Sequence, residues 1–325
     1  MNAVSELPGV RKTKESGGTA DKLVLGTAQL GLDYGIASAR APDRAESIEI
    51  IHTAIAGGVR TLDTARAYGR SEDVIGAALA DYDCPDCQIV TKLSPLGEIQ
   101  ENADAATARS AAESSLEQSS HALRKSHLDT VLFHRVSHVQ AWNASVFNLA
   151  RDWQSSGRIG SIGASVQSVD ELETVLDIDE ISHIQMPYNM LDRRWNTAIE
   201  RIKAEQETRN LTIHIRSVFL QGLLMSSEAA LWRRAHVHDP SPIVEWLESL
   251  CRNLGQRDIA SLCLSWARAH NWVQGVVVGC DNLDQLRDNL DMFSDKELSQ
   301  DDLLQIRKSC PDVAEETLNP AMWTN

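Results

Sequence analysis

The sequence predicts an α/β fold, a (β/α)8 TIM barrel. Eight short apolar runs alternate with segments of helical periodicity along most of the 325 residues, and this is the order of strands and helices in such a barrel. The runs are apolar along nearly their whole length, which is typical of parallel strands buried on both faces. Open doubly wound sheets in a domain of this length usually have fewer strands, so eight units favour a closed barrel.

The predicted elements follow one another with short breaks. In chain order the strands are KLVLGTA, RTLD, QIVTK, LDTVLFH, RIGSIGAS, HIQMPYN, TIHIRSVFL and VQGVVVG. The first long helix, AESIEIIHTAIA, is expected to end at Gly57 and Gly58, and Ser71 is placed to cap EDVIGAALAD. Further helices are predicted at residues 106–125, 140–155 and 169–176, after residue 191, and across IVEWLESLCRNLG, IASLCLSWARAH, NLDQLRDNLDMF and DKELSQDDLLQIRKSC.

Composition and charge argue against a nucleic-acid or membrane surface. The formal net charge is -15, and no basic stripe offers the clustered Lys and Arg that phosphate contacts need. No apolar run is long enough to cross a bilayer, and the N-terminus lacks the apolar stretch of a secretory signal. We therefore expect a cytoplasmic protein, monomeric by default, with a flexible tail at residues 1–21 and a single domain at residues 22–325.

The six cysteines do not indicate a metal site. Cys84 and Cys87 form a CPDC pair, but no second pair with metal-binding spacing follows it. A redox-active pair and half of a metal site are alternatives, and two reduced thiols in a turn before a strand are the simpler interpretation. Neither a disulfide nor a metal is predicted.

Four polar residues at the ends of apolar runs could act together on a carbonyl group. They are Asp63 closing RTLD, Tyr68 in ARAYG, Lys92 closing QIVTK, and His134 closing LDTVLFH. A lysine ammonium beside a tyrosine favours the phenolate and makes the phenol proton easier to give up. An aspartate would hold the lysine charged, and a histidine could hydrogen-bond a carbonyl oxygen. Together they would protonate an oxygen while hydride reaches its carbon.

The motifs DTARAYG, IVTK and LFH, in this order, resemble those of the aldo-keto reductase family. Also similar are LGTAQLG at the first strand, SGRIGSIGAS at the fifth, HIQMPYN at the sixth, and IASLCLSWA with VVVGCDNLDQLRDNL near the end. The resemblance covers nearly the whole chain from about residue 22. It implies a barrel that binds an extended nicotinamide dinucleotide and reduces a small-molecule carbonyl substrate reversibly.

The resemblance also implies roles for individual residues. Tyr68 would be the general acid, Lys92 its activating partner, Asp63 the residue paired to Lys92, and His134 the group that orients the carbonyl. The implied cofactor contacts are Gly26 and Thr27 near the nicotinamide, Ser165 and Gln185 at its carboxamide, Gly279, Cys280, Asp281 and Asn282 at a phosphate, and Asp288 and Asn289 at the adenine.

Three positions depart from the family pattern. Val166 stands where many relatives have asparagine, so one carboxamide contact would be missing. Arg216 occupies a position where an aromatic ring often lies under the nicotinamide, and its planar guanidinium could stack there instead. Gln285 replaces an arginine that some relatives place at the 2'-phosphate, and Asp281 and Asp284 add negative charge nearby. The usual cofactor of the family predicts NADPH. These local charges favour NADH, which is the alternative.

Two arginines near the predicted centre are candidate substrate contacts. Arg66 lies between Asp63 and Tyr68, and Arg135 directly follows His134. Both could recognise a carboxylate, a phosphate or sugar hydroxyls, or else point outward and pair with the chain's many carboxylates. The short segment after His134 predicts an open pocket, suited to a polar, sugar-like or small aldehyde substrate.

Two other functions stay open at this point. The potassium channel beta subunits share the implied fold, so the chain could be a cofactor-binding regulatory subunit with little turnover. A barrel lyase or aldolase could use Lys92 as a Schiff base. The leading hypothesis is NAD(P)H-dependent reduction of an aldehyde or ketone to an alcohol by hydride transfer, with Tyr68 as the proton donor.

Overall fold

A computed structural model describes residues 22–33, 40–100 and 103–324. Its eight strands form one closed barrel in chain order, and every neighbouring pair is parallel, including the last strand with the first. The predicted (β/α)8 barrel is confirmed. The predicted tail at residues 1–21 lies outside the described residues. The strands are β1 (Leu23–Gly26), β2 (Thr61–Asp63), β3 (Gln88–Lys92), β4 (Leu128–Phe133), β5 (Ile159–Ser165), β6 (Ile181–Pro187), β7 (Thr212–Arg216) and β8 (Gly275–Gly279).

Helices surround this barrel, and each helix predicted from the sequence has a counterpart. They are α1 (Ala28–Gly31), α2 (Arg44–Ala56), α3 (Ser71–Ala80), α4 (Ala105–Leu123), α5 (Ser137–Ser155), α6 (Val169–Leu176), α7 (Asn196–Thr208), α8 (Ala229–Arg234), α9 (Ser241–Leu254), α10 (Ile259–Arg268), α11 (Leu283–Met292), α12 (Gln300–Ser309) and α13 (Glu315–Leu318), with 3-10 turns at Leu220–Met225 and Pro320–Met322. Within the described ranges, no helix combines the length and apolar composition needed to span a bilayer.

The strand register brings the predicted functional positions to one level. Gly26 pairs with Asp63 on one side and with Gly279 on the other, and Ser165 pairs with Gln185 across β5 and β6. The carboxyl ends of all strands in a parallel barrel open on the same face. The residues that close the strands therefore meet there.

Two buried histidines fill the barrel interior below that face. A methyl group at Gly275 would overlap with the His214 ring, and one at Gly163 would overlap with Leu132 and with the backbone of His183. Gly275 thus makes room for the His214 imidazole, whose ring centre lies 4.2 Å from that of His183. Burial is the largest cause that lowers the pKa of His214, to about 4, and that of His183, well below its ordinary value.

Neutral buried histidines predict an acid-sensitive fold. Unfolded histidines bind a proton below a pH of about 6.5, whereas His214 in the native protein does so only below about 4. The unfolded state holds more protons between these values, so stability falls as pH falls through this window, by up to about 1.4 kcal/mol per pH unit for each such histidine.

We expect His214→Gln to flatten the pH dependence of the free energy of unfolding between pH 6.5 and 4 by about 1 kcal/mol per pH unit. The exposed residue His121 offers the matched control, because His121→Gln leaves the barrel interior intact. Urea unfolding at a series of pH values measures both slopes. Equal slopes for the two variants would contradict the prediction.

The Ser71 hydroxyl does not cap α3 as predicted. Arg70 occupies the cap position without a side-chain hydrogen bond. The Ser71 hydroxyl lies instead 2.6 Å from the Thr27 hydroxyl and 2.9 Å from the Thr64 hydroxyl. Buried hydroxyls need partners, and here the contact between β1, β2 and α3 supplies them.

The expectation that Cys84 and Cys87 are reduced thiols is wrong for this structure, which joins them in a disulfide. The turn before β3 brings the two residues together, since the Cys87 amide donates to the Cys84 carbonyl. The other cysteines, Cys251, Cys263, Cys280 and Cys310, are free and buried. Free cysteine usually behaves in this way, as a small buried hydrophobe.

The C-terminal segment is held against the loops that follow β6 and β7. Arg194, after β6, donates to Glu315 at 3.1 Å and to the buried carboxylate of Asp192 at 2.8 Å. The Thr324 amide donates to the Arg234 carbonyl at 3.0 Å, in the long segment after β7. The segment thus borders the face on which the strands end.

Candidate active site

Lys92 and Asp63 form a buried ion pair at the carboxyl ends of β3 and β2. The Lys92 ammonium lies 2.9 Å from each Asp63 carboxylate oxygen and donates to the Thr64 carbonyl at 2.8 Å. Only 1% of Lys92 and 3% of Asp63 are exposed. Burial disfavours the ammonium, but the attraction of Asp63 and Tyr68 outweighs it and raises the pKa of Lys92. The lysine therefore stays charged.

Tyr68 and His134 complete the predicted catalytic group. The Lys92 Nζ lies 5.0 Å from the centre of the Tyr68 ring, and the His134 ring meets the tyrosine edge-on with centres 6.3 Å apart. Burial, together with the charges of Lys92 and Arg216, lowers the pKa of His134 to about 4. The imidazole is neutral near pH 7 and can donate one hydrogen bond to a carbonyl oxygen. The structure thus brings all four predicted catalytic residues together.

The backbone around Tyr68 is tightly packed. A methyl group at Gly31 would overlap with the Tyr68 carbonyl, and Gly69 adopts a left-handed φ of 53° beside the Gly31 carbonyl. The Tyr68 amide donates to the Ala65 carbonyl at 2.9 Å. This packing fixes the course of the loop that carries the tyrosine.

Gln185 contacts the ion pair directly, which the sequence did not predict. Its Nε2 donates to the Asp63 carboxylate at 2.6 Å, and the side chain is fully buried. Its Oε1 is a buried acceptor without a partner among the described residues. Such an acceptor is costly unless something satisfies it, and a nicotinamide amide N–H would do so. Gln185 therefore fits the predicted carboxamide contact while it also holds Asp63.

The other residues expected near the nicotinamide lie at the same face. Thr27 is fully buried and its hydroxyl donates to the Asp63 carbonyl at 2.8 Å, so this hydroxyl serves the protein and not a ligand. Ser165 is 3% exposed. Arg216 donates to the Val166 carbonyl at 3.2 Å, and its charge lowers the pKa of His134, behind the larger effect of burial. Its guanidinium therefore faces the site.

The predicted phosphate loop links β8 to α11. The Asn282 side chain accepts from the Gln285 amide at 2.9 Å, and Gln285 Oε1 accepts from the Asp281 amide at 2.8 Å. The amides of Leu283 and Asp284, the first two of α11, have no acceptor within the helix, and amides of this kind suit an anion. Cys280 is 1% exposed and burial raises the pKa of its thiol to about 12. Only its backbone can meet a ligand.

At the expected adenosine end of the site, acidic side chains outnumber basic ones. Arg287 pairs with Asp284 at 3.1 Å, with 60% and 91% of these side chains exposed. Asp288 is exposed, and the Asn289 amide reaches only to 3.4 Å from the Gly279 carbonyl. Arg287 is the cationic side chain on α11 that a 2'-phosphate would contact.

The two candidate substrate arginines differ in their surroundings. Arg66 pairs at 2.5 Å with Glu72, whose side chain is fully buried, so Arg66 has a carboxylate partner but turns toward the protein interior and not outward. Arg135 is exposed, and its guanidinium lies beside Gly97 in the segment after β3. Arg135 is thus exposed beside the site, whereas Arg66 is engaged within the protein.

Comparison with known proteins gives the chain its family. The model of the Aldo/keto reductase family matches residues 22–310. The chain belongs to the aldo-keto reductase family. A curated relative of this aldo-keto reductase, Aldo-keto reductase YhdN of Bacillus subtilis (strain 168), is 26% identical over 192 residues, which span 57% of this chain and 55% of the relative. The match thus spans about half the length of that relative.

Solved structures confirm the barrel fold of this family member. AKR11C1 from Bacillus halodurans in its holo form matches with a TM-score of 0.70 and 19% identity, over 92% of this chain and 95% of that one. Gox0644 in its apo form matches with a TM-score of 0.62 and 22% identity, over 91% and 94%. At these identities the likeness to solved structures shows the fold alone.

Proposed function

We propose that this aldo-keto reductase uses NADPH, with NADH as the alternative, to reduce an aldehyde or ketone to an alcohol, with Tyr68 as proton donor. The observation that carries the proposal is the Lys92 ammonium, held at 2.9 Å by Asp63 and lying 5.0 Å from the centre of the Tyr68 ring. A fixed positive charge beside a phenol favours release of the phenol proton.

Each residue has a defined task in this reaction. A dinucleotide bound at this face would supply the hydride for the carbonyl carbon. Tyr68 gives its hydroxyl proton to the carbonyl oxygen, and Lys92 stabilises the phenolate that this transfer leaves. His134, neutral at a pKa of about 4, donates a hydrogen bond to the same oxygen and orients it. Solvent then returns the proton to Tyr68, so atoms and charge balance over a turnover.

The Schiff-base alternative is disfavoured by the surroundings of Lys92. Its ammonium has three acceptors, two from Asp63 and one from Thr64. A raised pKa keeps the amine protonated, and a protonated amine lacks the lone pair that attacks a carbonyl. The lysine is therefore proposed to act by its charge.

The substrate is proposed to be a small polar or sugar-like carbonyl compound. Arg135 is exposed next to His134, where it can contact a carboxylate, a phosphate or hydroxyl groups. The segment between β4 and α5 is only three residues long, from His134 to Val136, so little chain covers the mouth there. A cytoplasmic monomer that binds no nucleic acid or membrane remains our expectation.

Isothermal titration with NADPH and, in parallel, with NADH tests the cofactor. Saturable binding of either supports the proposal, and turnover of a panel of aldehydes and sugars with the preferred one tests the reaction. Failure of both dinucleotides to bind would remove the reductase function and leave the barrel without its proposed cofactor.

We expect Gln285→Arg to shift the cofactor preference toward NADPH by about tenfold, because a charge-assisted bond to a 2'-phosphate contributes roughly 1.5–3 kcal/mol. The change removes the Gln285 contact to the Asp281 amide, so dissociation constants for NADPH and NADH are compared as a ratio. Gln305→Arg adds the same charge at an exposed position of α12. A ratio unchanged in Gln285→Arg, or shifted equally in both variants, would contradict the expectation.

A further inference from the structure

Glu72 is a buried carboxylate that the proposed reaction does not use. It lies in the first turn of α3, and none of its surface is exposed. One carboxylate oxygen accepts from the Thr91 hydroxyl at 2.6 Å, and the other accepts from the Arg66 guanidinium at 2.5 Å. Burying a carboxylate is costly, so such a group is retained where its contacts matter.

The two partners of Glu72 belong to two different parts of the site, the strand that carries Lys92 and the loop that carries Tyr68. Thr91 immediately precedes Lys92 on β3, and its side chain points away from the barrel interior toward α3. Arg66 lies in the loop between Asp63 and Tyr68, and its amide donates to the Lys92 carbonyl at 3.1 Å. Glu72 thus bridges the strand of the lysine and the loop of the tyrosine.

We propose that Glu72 is a positioning residue that fixes the Tyr68 hydroxyl relative to the Lys92 ammonium. The proposal rests on the proposed function of Tyr68 as proton donor. The bonds from Arg66 and Thr91 to the carboxylate are both charge-assisted and therefore stronger than neutral contacts. The Glu72 side chain that accepts them is fully buried. Without them Arg66 keeps its backbone bond to Lys92, and the other bonds from this loop to β3 are made at Thr64, four residues before Tyr68.

The same helix offers a matched control. Asp73 follows Glu72 in the first turn of α3 but is exposed. Glu72→Gln and Asp73→Asn each remove one negative charge from the helix N-terminus, so they share any effect on the helix dipole. Only Glu72→Gln breaks the bridge, because a glutamine offers one acceptor oxygen for the two donors.

Turnover of 4-nitrobenzaldehyde with the preferred dinucleotide gives the first readout. Misplacement of a catalytic group by about 1 Å can cost 100-fold, so Glu72→Gln is expected to lower kcat by roughly 10-fold to 100-fold. The KM and the dinucleotide dissociation constant are expected to change by less than about 2-fold, because Glu72 is fully buried and out of reach of either ligand. Thr91→Val, which removes one of the two bonds and keeps the side-chain shape, is expected to give an intermediate kcat.

Fluorine NMR gives a second readout that needs no substrate. The chain has four tyrosines, so 3-fluorotyrosine labelling gives few lines, and Tyr68→Phe assigns the one of interest. The charged and titratable groups around Tyr68 are Lys92 on β3, Asp63 on β2, His134 after β4, Arg216 at the end of β7 and Arg66 on the same loop. Glu72→Gln is expected to shift the Tyr68 line while the Tyr82 line, just beyond α3, stays in place.

The outcomes separate the two proposals. A Tyr68 line in Glu72→Gln that coincides with those of the wild type and Asp73→Asn would overturn the positioning role, whatever the activity. Equal kcat for Glu72→Gln and Asp73→Asn, with Tyr68→Phe inactive, would overturn it too and leave the proposed function intact. A shifted Tyr68 line with full activity in Tyr68→Phe would support the bridge as a structural link and remove the proposed proton donor.

Discussion

Tyr68→Phe is expected to lower the rate of carbonyl reduction by roughly 100-fold to 10,000-fold, which is the usual contribution of a positioned general acid. The phenylalanine ring keeps the packing of the tight loop around Gly31 and Gly69 but has no proton to give to the carbonyl oxygen. Lys92 and Asp63 keep their ion pair at 2.9 Å. The dissociation constants of NADPH and NADH should therefore stay within about 2-fold of the wild-type values.

Steady-state turnover and titration calorimetry on the same preparations measure both quantities. Tyr82→Phe provides the matched control, because Tyr82 is half-buried against the His52 ring, with centres 5.0 Å apart, outside the site. That variant should keep wild-type turnover. Reduction by Tyr68→Phe at the wild-type rate would show that another group delivers the proton.

The barrel could be predicted because the apolar pattern of the strands and the alternation of strands and helices indicate the same fold. Nearly continuous apolar runs such as VVVG and short intervening helices leave few arrangements other than parallel strands in a closed ring. The ends of the runs then located Asp63, Lys92 and His134, since strands of one barrel open on one face. Tyr68 followed from its place five residues beyond Asp63 and from the chemistry that a phenol and an ammonium share.

Contacts made through side-chain rotamers and loop paths could not be predicted in this way. The spacing that suggested Ser71 as a cap is compatible with a hydroxyl turned toward Thr27, and only packing between elements decides. Glu72 appears in the sequence as an ordinary first-turn acid beside Asp73, yet one is buried and the other exposed. Gln185 and Asp63 are 122 residues apart in the chain, so their bond follows from barrel closure alone.

The buried ion pair predicts a large and strongly coupled effect on stability. Lys92→Met leaves the Asp63 carboxylate buried with Gln185 as its remaining side-chain donor among the described residues. Asp63→Asn removes the carboxylate that pairs with the ammonium. Removing one partner of a buried pair destabilises by about 3–5 kcal/mol, whereas removing both charges is often close to neutral. Each single variant should therefore unfold at clearly lower urea concentration than the double variant Asp63→Asn/Lys92→Met.

Free energies of unfolding from urea titration close this double-mutant cycle, with an expected coupling of several kcal/mol. The exposed pair of Arg257 and Asp291, at 2.7 Å with side chains 42% and 71% exposed, is the matched control and should give less than about 1 kcal/mol. Additive losses at Asp63 and Lys92 would mean that the charges do not depend on each other. In the coupled case the double variant regains stability but not turnover, because the charge beside Tyr68 is gone, and this separates the folding role of the pair from its catalytic role.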